Sequence, residues 1–536
     1  AHDAAAAIEL VSSKYMRCAP EQVVNQTSTA EVEEIITSFA EAARRCMRAG
    51  FDLIVLHGGH GNVPAMFFRE KDNHRSDRFG GSFEGRCRFG IELLQALREA
   101  TEGRLAIEYR ISAEEMVPGF TTLEETIAYS QVIEDYIDLL HVSRGMLEYD
   151  ELLPSINAPV YLPKAMNLPF AARFKQALSI PVTVVGSFDL RDAEQAVAAG
   201  KVDAVSMIRT VLADTECVEK ARLNRAESIR PCIRCNTCID RTHSDRISIQ
   251  CAVNPLVGRE TRFSEGPAQT PRRVMIVGAG VAGLEAARVA ARRGHQVSLF
   301  EKDESAGGLF RLACASELKR ELQAYLSWSI ADVMANERIE LHLDHLLSAD
   351  EIHRANPDAL ILAFGAQPIL PNFSASASDK VVWVGDVEAG RVECGKTVVI
   401  AGAGVTGMEA ALSLARQGRQ VTLVDALRED QLGAGTTAIN LIALRALLAE
   451  ADVTFICESR ISDIDEAGVH LTTSCGEHRC LNYDTAVLSF GFRVDRDLLE
   501  SFSGIVEPTY TIGDCSGRGG NLHNALRTAF EKAMLI

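Results

Sequence analysis

Through the first 230 residues, short apolar runs alternate with longer stretches whose apolar residues recur every three to four positions. The runs lie at 8–11, 52–57, 105–111, 137–143, 181–186 and 203–208, and predict buried strands. Between them, 31–49, 83–100, 123–135, 169–178 and 190–199 carry the helical period and predict helices. Strands alternating with helices of this length give parallel pairing through helical crossovers, hence an α/β fold. A closed (β/α)8 TIM barrel needs eight such units, and six are visible. The opening at Ala1 reads as helical, so two βα units are expected to be missing ahead of it. An open six-unit sheet is the alternative.

After residue 271 the pattern changes. Apolar runs at 273–277 and 397–401 each lead into a glycine-rich turn, Gly278-Ala279-Gly280-Val281-Ala282-Gly283 and Gly402-Ala403-Gly404-Val405-Thr406-Gly407. Each turn opens a helical pattern, and the next apolar run, 296–300 or 420–424, ends on an acid, Glu301 or Asp425. Such glycines permit a tight turn and close approach of a pyrophosphate to a helix N-terminus, while the acid accepts from a ribose hydroxyl. Two copies predict two dinucleotide sites. Asp425 would repel a ribose 2′-phosphate, which favours NADH over NADPH; Arg428 nearby weakens that preference.

Between the halves stand Cys232, Cys235 and Cys238, with twelve residues between Cys238 and Cys251. A C-x2-C-x2-C loop with a distant fourth cysteine predicts four thiolates around a 4Fe-4S cluster, whereas structural zinc favours two separated pairs. The other ten of the 14 cysteines look solitary and read as small hydrophobes or unremarkable thiols. Residues 258–271, rich in Gly, Pro, Ser and charge, read as a linker.

Length and charge narrow the partners. A chain of 536 residues exceeds one core, and a net charge of −18 without a basic tract disfavours nucleic acid and anionic membranes. No apolar run approaches the ~20 residues of a membrane span, and no basic-then-apolar leader opens the chain. The expectation is a soluble, cytoplasmic protein acting on a small molecule, with a homo-oligomer compatible.

Candidate chemistry gathers at the end of the second predicted strand, where His57-Gly58-Gly59-His60-Gly61-Asn62 stands. Barrel active sites lie at such strand ends. Together with Arg75-Ser76-Asp77-Arg78-Phe79-Gly80-Gly81, the stretch resembles the old yellow enzyme family of FMN-dependent reductases. The resemblance implies that His57 and His60 hold the carbonyl oxygen of an α,β-unsaturated substrate. It also implies FMN contacts from Arg110 at the pyrimidine, Glu9 at the amide edge, and Gly186, Ser187 and Arg209 at the phosphate. Asn62 stands where that family usually has a proton-donating tyrosine, which leaves the proton donor unassigned, and Ile208 replaces a common glycine.

The cysteine segment, Pro231-Cys232 through Cys251-Ala252-Val253-Asn254-Pro255, resembles the 4Fe-4S segment of the trimethylamine dehydrogenase and 2,4-dienoyl-CoA reductase group. The second half resembles the two-dinucleotide disulfide-reductase fold, with Leu362-Ala363-Phe364-Gly365 and Leu488-Ser489-Phe490-Gly491 as crossovers. This resemblance implies FAD on Gly278, Gly280, Gly283, Glu301, Gly308 and Asp514, and NADH on Gly402, Gly404, Gly407 and Asp425. The implied domains are an FMN barrel at 1–230, a cluster segment and linker at 231–271, FAD parts at 272–395 and 496–536, and an NADH domain at 396–495. The implied reaction is an ene-reduction, electrons passing from NADH to FAD, cluster, FMN and substrate. An amine dehydrogenase and an electron-transfer subunit with a non-catalytic barrel are the alternatives.

Overall fold

In the computed structural model, which describes residues 4–12, 19–243, 245–263, 266–517 and 520–536, the early alternation becomes one parallel sheet. Its strands are β1 (Ala7–Leu10), β2 (Leu53–His57), β3 (Ala106–Ser112), β4 (Leu139–Ser143), β5 (Val182–Val185) and β6 (Ala204–Ser206). They pair in chain order, β1 through β6, as successive strands of a barrel wall do. The chain divides into two compact units, Ala1–Ala158 with Leu162–Ile208, and Pro159–Tyr161 with Arg209–Ile536. Cys18 lies outside the described residues.

Of the opening read as helical, Ala1 to Asp3 lie outside the described residues, Ala4 to Ala6 are irregular and Ala7 begins β1. Alanine's helical preference is a weak prior, and pairing of Ala7 to Leu10 against Leu53 to Leu56 overrides it.

Period-two alternation gives the first sheet two unlike faces. Ile54 and Leu56, Ile107, Tyr109 and Ile111, Leu140 and Val142, and Val182 and Val184 form the buried core beneath the helices. The other face carries Glu9, His57, Glu108, Arg110, Ser112, His141 and Ser143. Register aligns them: His57 pairs with Arg110, Arg110 with His141, and Ser112 with Ser143. The helix Thr29–Arg48 shows how the core is closed. Ser28 and Glu31 form a capping box, and Val32, Ile36, Phe39, Ala43 and Cys46 are its buried stripe.

One buried polar group braces this unit. The guanidinium of Arg69 is fully buried, donating from Nε to Glu115 at 2.8 and 2.9 Å, from Nη1 to Asp72 at 2.9 Å, and to Glu148 at 3.0 and 3.1 Å. Burial, then the neighbouring charges of Glu115 and Asp72, raise the Glu148 carboxyl above the usual range despite Arg69. Arg69→Met leaves three carboxylates facing one another without a cation, and is expected to destabilise the fold by about 3–5 kcal/mol. Urea denaturation checks this. The loss should ease as pH falls, because protonating the crowded carboxylates removes their repulsion.

The second unit holds two larger parallel sheets. The first contains β7 (Arg273–Val277), β8 (Gln296–Phe300), β9 (Ile339–His342) and β10 (Ala359–Leu362). The chain then passes β11 (Gln367–Pro368) and enters the second sheet through β12 (Val381–Trp383), β13 (Thr397–Ala401), β14 (Gln420–Val424) and β15 (Thr454–Ile456). A three-stranded antiparallel sheet follows, β16 (Ser459–Ile464), β17 (Val469–Thr473) and β18 (His478–Leu481). β19 (Thr485–Leu488) completes the second sheet, β20 (Phe492–Arg493) pairs antiparallel with β11, and β21 (Thr509–Thr511) returns to the first beside β10. The sheet order β21-β10-β7-β8-β9 therefore joins strands separated by the whole second sheet. Among the described residues no helix is long and apolar enough to cross a membrane.

Candidate active site and cofactor sites

At the polar face of the first sheet, four side chains form one hydrogen-bonded row. His57 Nδ1 lies 2.9 Å from Glu9 Oε1, His57 Nε2 lies 2.8 Å from His60 Nδ1, and His60 Nε2 lies 2.8 Å from Ser143 Oγ. The His60 amide donates to Ser112 Oγ at 2.9 Å, which itself donates to the Gly145 carbonyl at 2.8 Å. His60 takes a left-handed backbone, φ 55°, and is almost wholly buried. Burial above all, then the positive charge of Arg110, holds its imidazole well below the ordinary histidine range, so it is neutral. Arg110 donates weakly from Nη1 to Glu9 Oε2 at 3.4 Å, and its Nε is buried without a partner. An orphaned guanidinium N–H facing this row fits an acceptor on a bound flavin.

The glycines of the loop serve a different end from the ligand approach their type suggests. A Cβ on Gly58 would lie 2.1 Å from the Tyr109 ring, and one on Gly59 would lie 2.5 Å from the Ser112 amide. They are small so that the loop can lie on β3. Asn62, standing at the usual tyrosine position, turns its buried amide back to donate to the Gly59 carbonyl at 2.9 Å. It locks the loop.

Past β5, Gly186 (φ 133°) and Ser187 (φ 57°) make a left-handed turn against Asn167, whose Nδ2 donates to the Val185 carbonyl at 2.8 Å. Asn167 Oδ1 is buried without a partner beside it. Arg209 begins the second unit, and its Nη1 donates to Asn236 Oδ1 at 2.6 Å in the cysteine loop. Sequence alone gave no hint of that engagement.

Cys232, Cys235, Cys238 and Cys251 line one pocket together with Arg209, Ile233 and Val253. Left-handed residues Arg234 (φ 50°) and Asn236 (φ 57°) between them fold the loop back on itself. Polar groups stand at the sulfurs: the Arg234 amide donates to Cys232 Sγ (3.4 Å), and the Thr237 hydroxyl lies 3.2 Å from Cys235 Sγ. Among the described residues no three His, Cys, Asp or Glu side chains converge on a point that a single metal ion could occupy. Arg234 is pinned by Glu321 through a buried pair at 2.5 Å.

The two glycine-rich turns repeat one geometry. The Ala279 amide donates to Glu301 at 2.9 Å, and the Ala403 amide donates to Asp425 at 2.7 Å. A Cβ on Gly283 would meet the Gly278 carbonyl at 1.9 Å, and one on Gly407 the Gly402 carbonyl at 2.1 Å, so helix and turn pack without room for a side chain. Gly280 and Gly404, the N-caps of Val281–Arg292 and Val405–Arg416, face open space. That is the cradle a pyrophosphate requires. Gly308 lies against Gly280 in the first turn, and Asp514 accepts from the Gly520 amide at 2.8 Å after β21. A buried pair unforeseen from sequence, Lys319 with Glu409 at 2.6 Å, sits beside the second turn's helix, and Tyr161 donates to the same carboxylate at 2.7 Å.

Residues 2–228 match the NADH:flavin oxidoreductase / NADH oxidase family, and residues 272–529 match the pyridine nucleotide-disulphide oxidoreductase family. A cinnamate reductase from Clostridium sporogenes is 30% identical over 540 residues, covering 97% of this chain and 80% of that protein. The chain belongs to the NADH:flavin oxidoreductase / NADH oxidase family. This oxidoreductase is also 37% identical over 407 residues to an NADH oxidase from Thermoanaerobacter brockii, covering 74% of its own chain and 62% of that relative. It thus spans under two thirds of that relative's length. The solved structure of a 2-naphthoyl-CoA reductase complex superposes with a TM-score of 0.89 at 28% identity, over 95% of this chain and 77% of the other. Membership makes it an α/β flavoenzyme binding FMN, with FAD and a nicotinamide dinucleotide on the disulphide-oxidoreductase part. The orphaned Arg110 Nε and the two open glycine cradles fit that set.

Proposed function

We propose that this oxidoreductase uses NADH to reduce the C=C bond of an α,β-unsaturated carbonyl compound, its two parts coupled by a 4Fe-4S cluster on Cys232, Cys235, Cys238 and Cys251. The observation that carries the reading is the row Glu9, His57, His60 and Ser143, hydrogen-bonded at the C-terminal ends of parallel strands. Flavins, when bound, supply the hydride chemistry that takes two electrons from NADH and places them on the alkene. The chain's own residues orient the substrate. His57 and His60 would donate to the carbonyl oxygen, strongest as it becomes enolate-like, and Arg110 would hold the flavin edge. Gly186, Ser187 and Arg209 are assigned to the FMN phosphate, and Glu301 and Asp514 to FAD.

The cluster is favoured over zinc because the cysteines follow C-x2-C-x2-C with one distant fourth rather than two separated pairs, and because an amide donates to one of their sulfurs and a hydroxyl stands at another. An amine-oxidising relative would want an aromatic cage for its cation. Both tryptophans of this chain, Trp328 and Trp383, belong to the second unit.

Anaerobic mixing tests the reading. NADH should bleach the flavin absorbance, and an enone should restore it; bleaching by a tertiary amine with no response to NADH would overturn it. Asp425 at the second turn should make NADH the preferred donor by at least tenfold in kcat/KM, and Asp425→Ser should narrow that ratio toward NADPH. Equal use of both donors by the unaltered protein would contradict the role given to Asp425.

A further inference from the structure

We infer that Glu9 is a positioning residue that fixes the Nδ1–H on His57, so that His57 offers a substrate oxygen a donor at Nε2 only as the imidazolium, and that this imidazolium is the acid of the reaction. The inference rests on the reading of His57 and His60 as the carbonyl site.

An ionised carboxylate accepts hydrogen bonds and cannot donate. Glu9 is bound on one oxygen by His57 and approached on the other by Arg110, and the His57 hydrogen bond first, then the charges of His57 and Arg110, hold it below the usual range. His57 Nδ1 must therefore be the donor. Between His57 Nε2 and His60 Nδ1, 2.8 Å apart, exactly one proton fits. Two settings satisfy the row. With both rings neutral, Ser143 donates to His60 Nε2 and His60 Nδ1–H donates to His57 Nε2. With His57 protonated, both of those bonds reverse, His57 donating to His60 and His60 to Ser143, and a substrate oxygen at Nε2 would take the His57 bond in place of His60. The bond to Glu9 is the same in either. A neutral amide at this position could donate or accept and would impose neither.

His60 cannot be the site of the proton, since burial and Arg110 oppose its charge. The other charged groups around the row are the paired His141 and Glu108 on the adjacent strands, with His141 itself held down by burial. A second proton on the row would sit on His57, the ring bonded to the Glu9 carboxylate. Asn62, whose amide is committed to Gly59, leaves that role open.

The reaction balances. A flavin held beside Arg110 would supply hydride to the β-carbon, and the π electrons would move onto the carbonyl oxygen held at His57. The Nε2 proton of His57 passes to that oxygen, leaving neutral His57 with its Nδ1–H on Glu9 and an enol that reverts to the carbonyl compound in solvent. Water returns the proton to His57.

Binding of 2-cyclohexenone to the oxidised, flavin-loaded protein, followed against pH, tests this without turnover. If binding requires that second proton, Kd should rise tenfold per pH unit on the alkaline side in the unaltered protein and stay within about threefold in Glu9→Gln, where a neutral Nε2–H tautomer becomes available. Histidine-labelled nitrogen-15 spectra of the unliganded holoprotein, with His57→Gln to assign the ring, should show neutral His57 as the Nδ1–H form. A pH-independent Kd in the unaltered protein, or a neutral Nε2–H ring, would overturn the inference while leaving the carbonyl site standing. If His57→Ala bound 2-cyclohexenone unchanged, or the unaltered protein did not bind it, the carbonyl site itself would fall.

Discussion

Replacing His57 and His60 together by alanine is expected to lower NADH-driven turnover of an enone by about a thousandfold or more, while NADH oxidation by ferricyanide stays within twofold. Loss of a single well-placed donor to a developing oxyanion costs about 10²–10³ in rate, and two donors on one oxygen act as a unit. The second half of the prediction follows from topology. Both glycine-rich turns and their acids belong to sheets built from residues beyond 271. Steady-state rates with each acceptor, at matched flavin content, separate the outcomes. Survival of enone turnover would make the barrel a non-catalytic module and the chain an electron-transfer subunit.

Cys235→Ser should break the electron path between the two flavin sites. Iron content should fall, NADH should still bleach FAD, and NADH-driven reduction of FMN should drop by more than about a hundredfold, since a serine oxygen is a poor substitute for a cluster thiolate. Chemical reduction of FMN by dithionite should rescue single-turnover alkene reduction. Stopped-flow absorbance with metal analysis reads all of these at once. Four stoichiometric cysteines binding one zinc, with unaltered FMN reduction in the variant, would sink the wire.

The sequence made the elements legible where one period dominated. The helix Phe83–Ala100 matches its predicted bounds, and the six strands of the first sheet fall within one or two residues of theirs. The ends differ where pairing decides: β6 keeps only Ala204–Ser206 of the run 203–208. The candidate site was legible in part because His57 ends its own strand and Arg110 lies two residues from the end of the next. Ser143 ends a strand too, and the same rule would have found it. Glu115 and Glu148 were hidden, because their meeting with Arg69 depends on loops 46 and 79 residues apart in sequence. The role of Gly58 and Gly59 in the histidine loop was hidden for a related reason: a residue's smallness is visible in sequence, and what fills the space is not. Tyr109 and Ser112, which fill it, sit on the following strand.

The short pairing of β11 with β20 has a bearing on how such a chain could be assembled. Gln367 faces Arg493 and Pro368 faces Phe492, antiparallel, so the chain leaves for the second sheet and comes back at neighbouring points. A turn of a few residues would bridge them as a hairpin. The intervening stretch is thus a guest spliced into a host whose own strands, β7 to β10 and β21, need nothing from it to complete their sheet. The second sheet and its glycine-rich turn could be excised, exchanged or acquired as a cassette without re-threading the host.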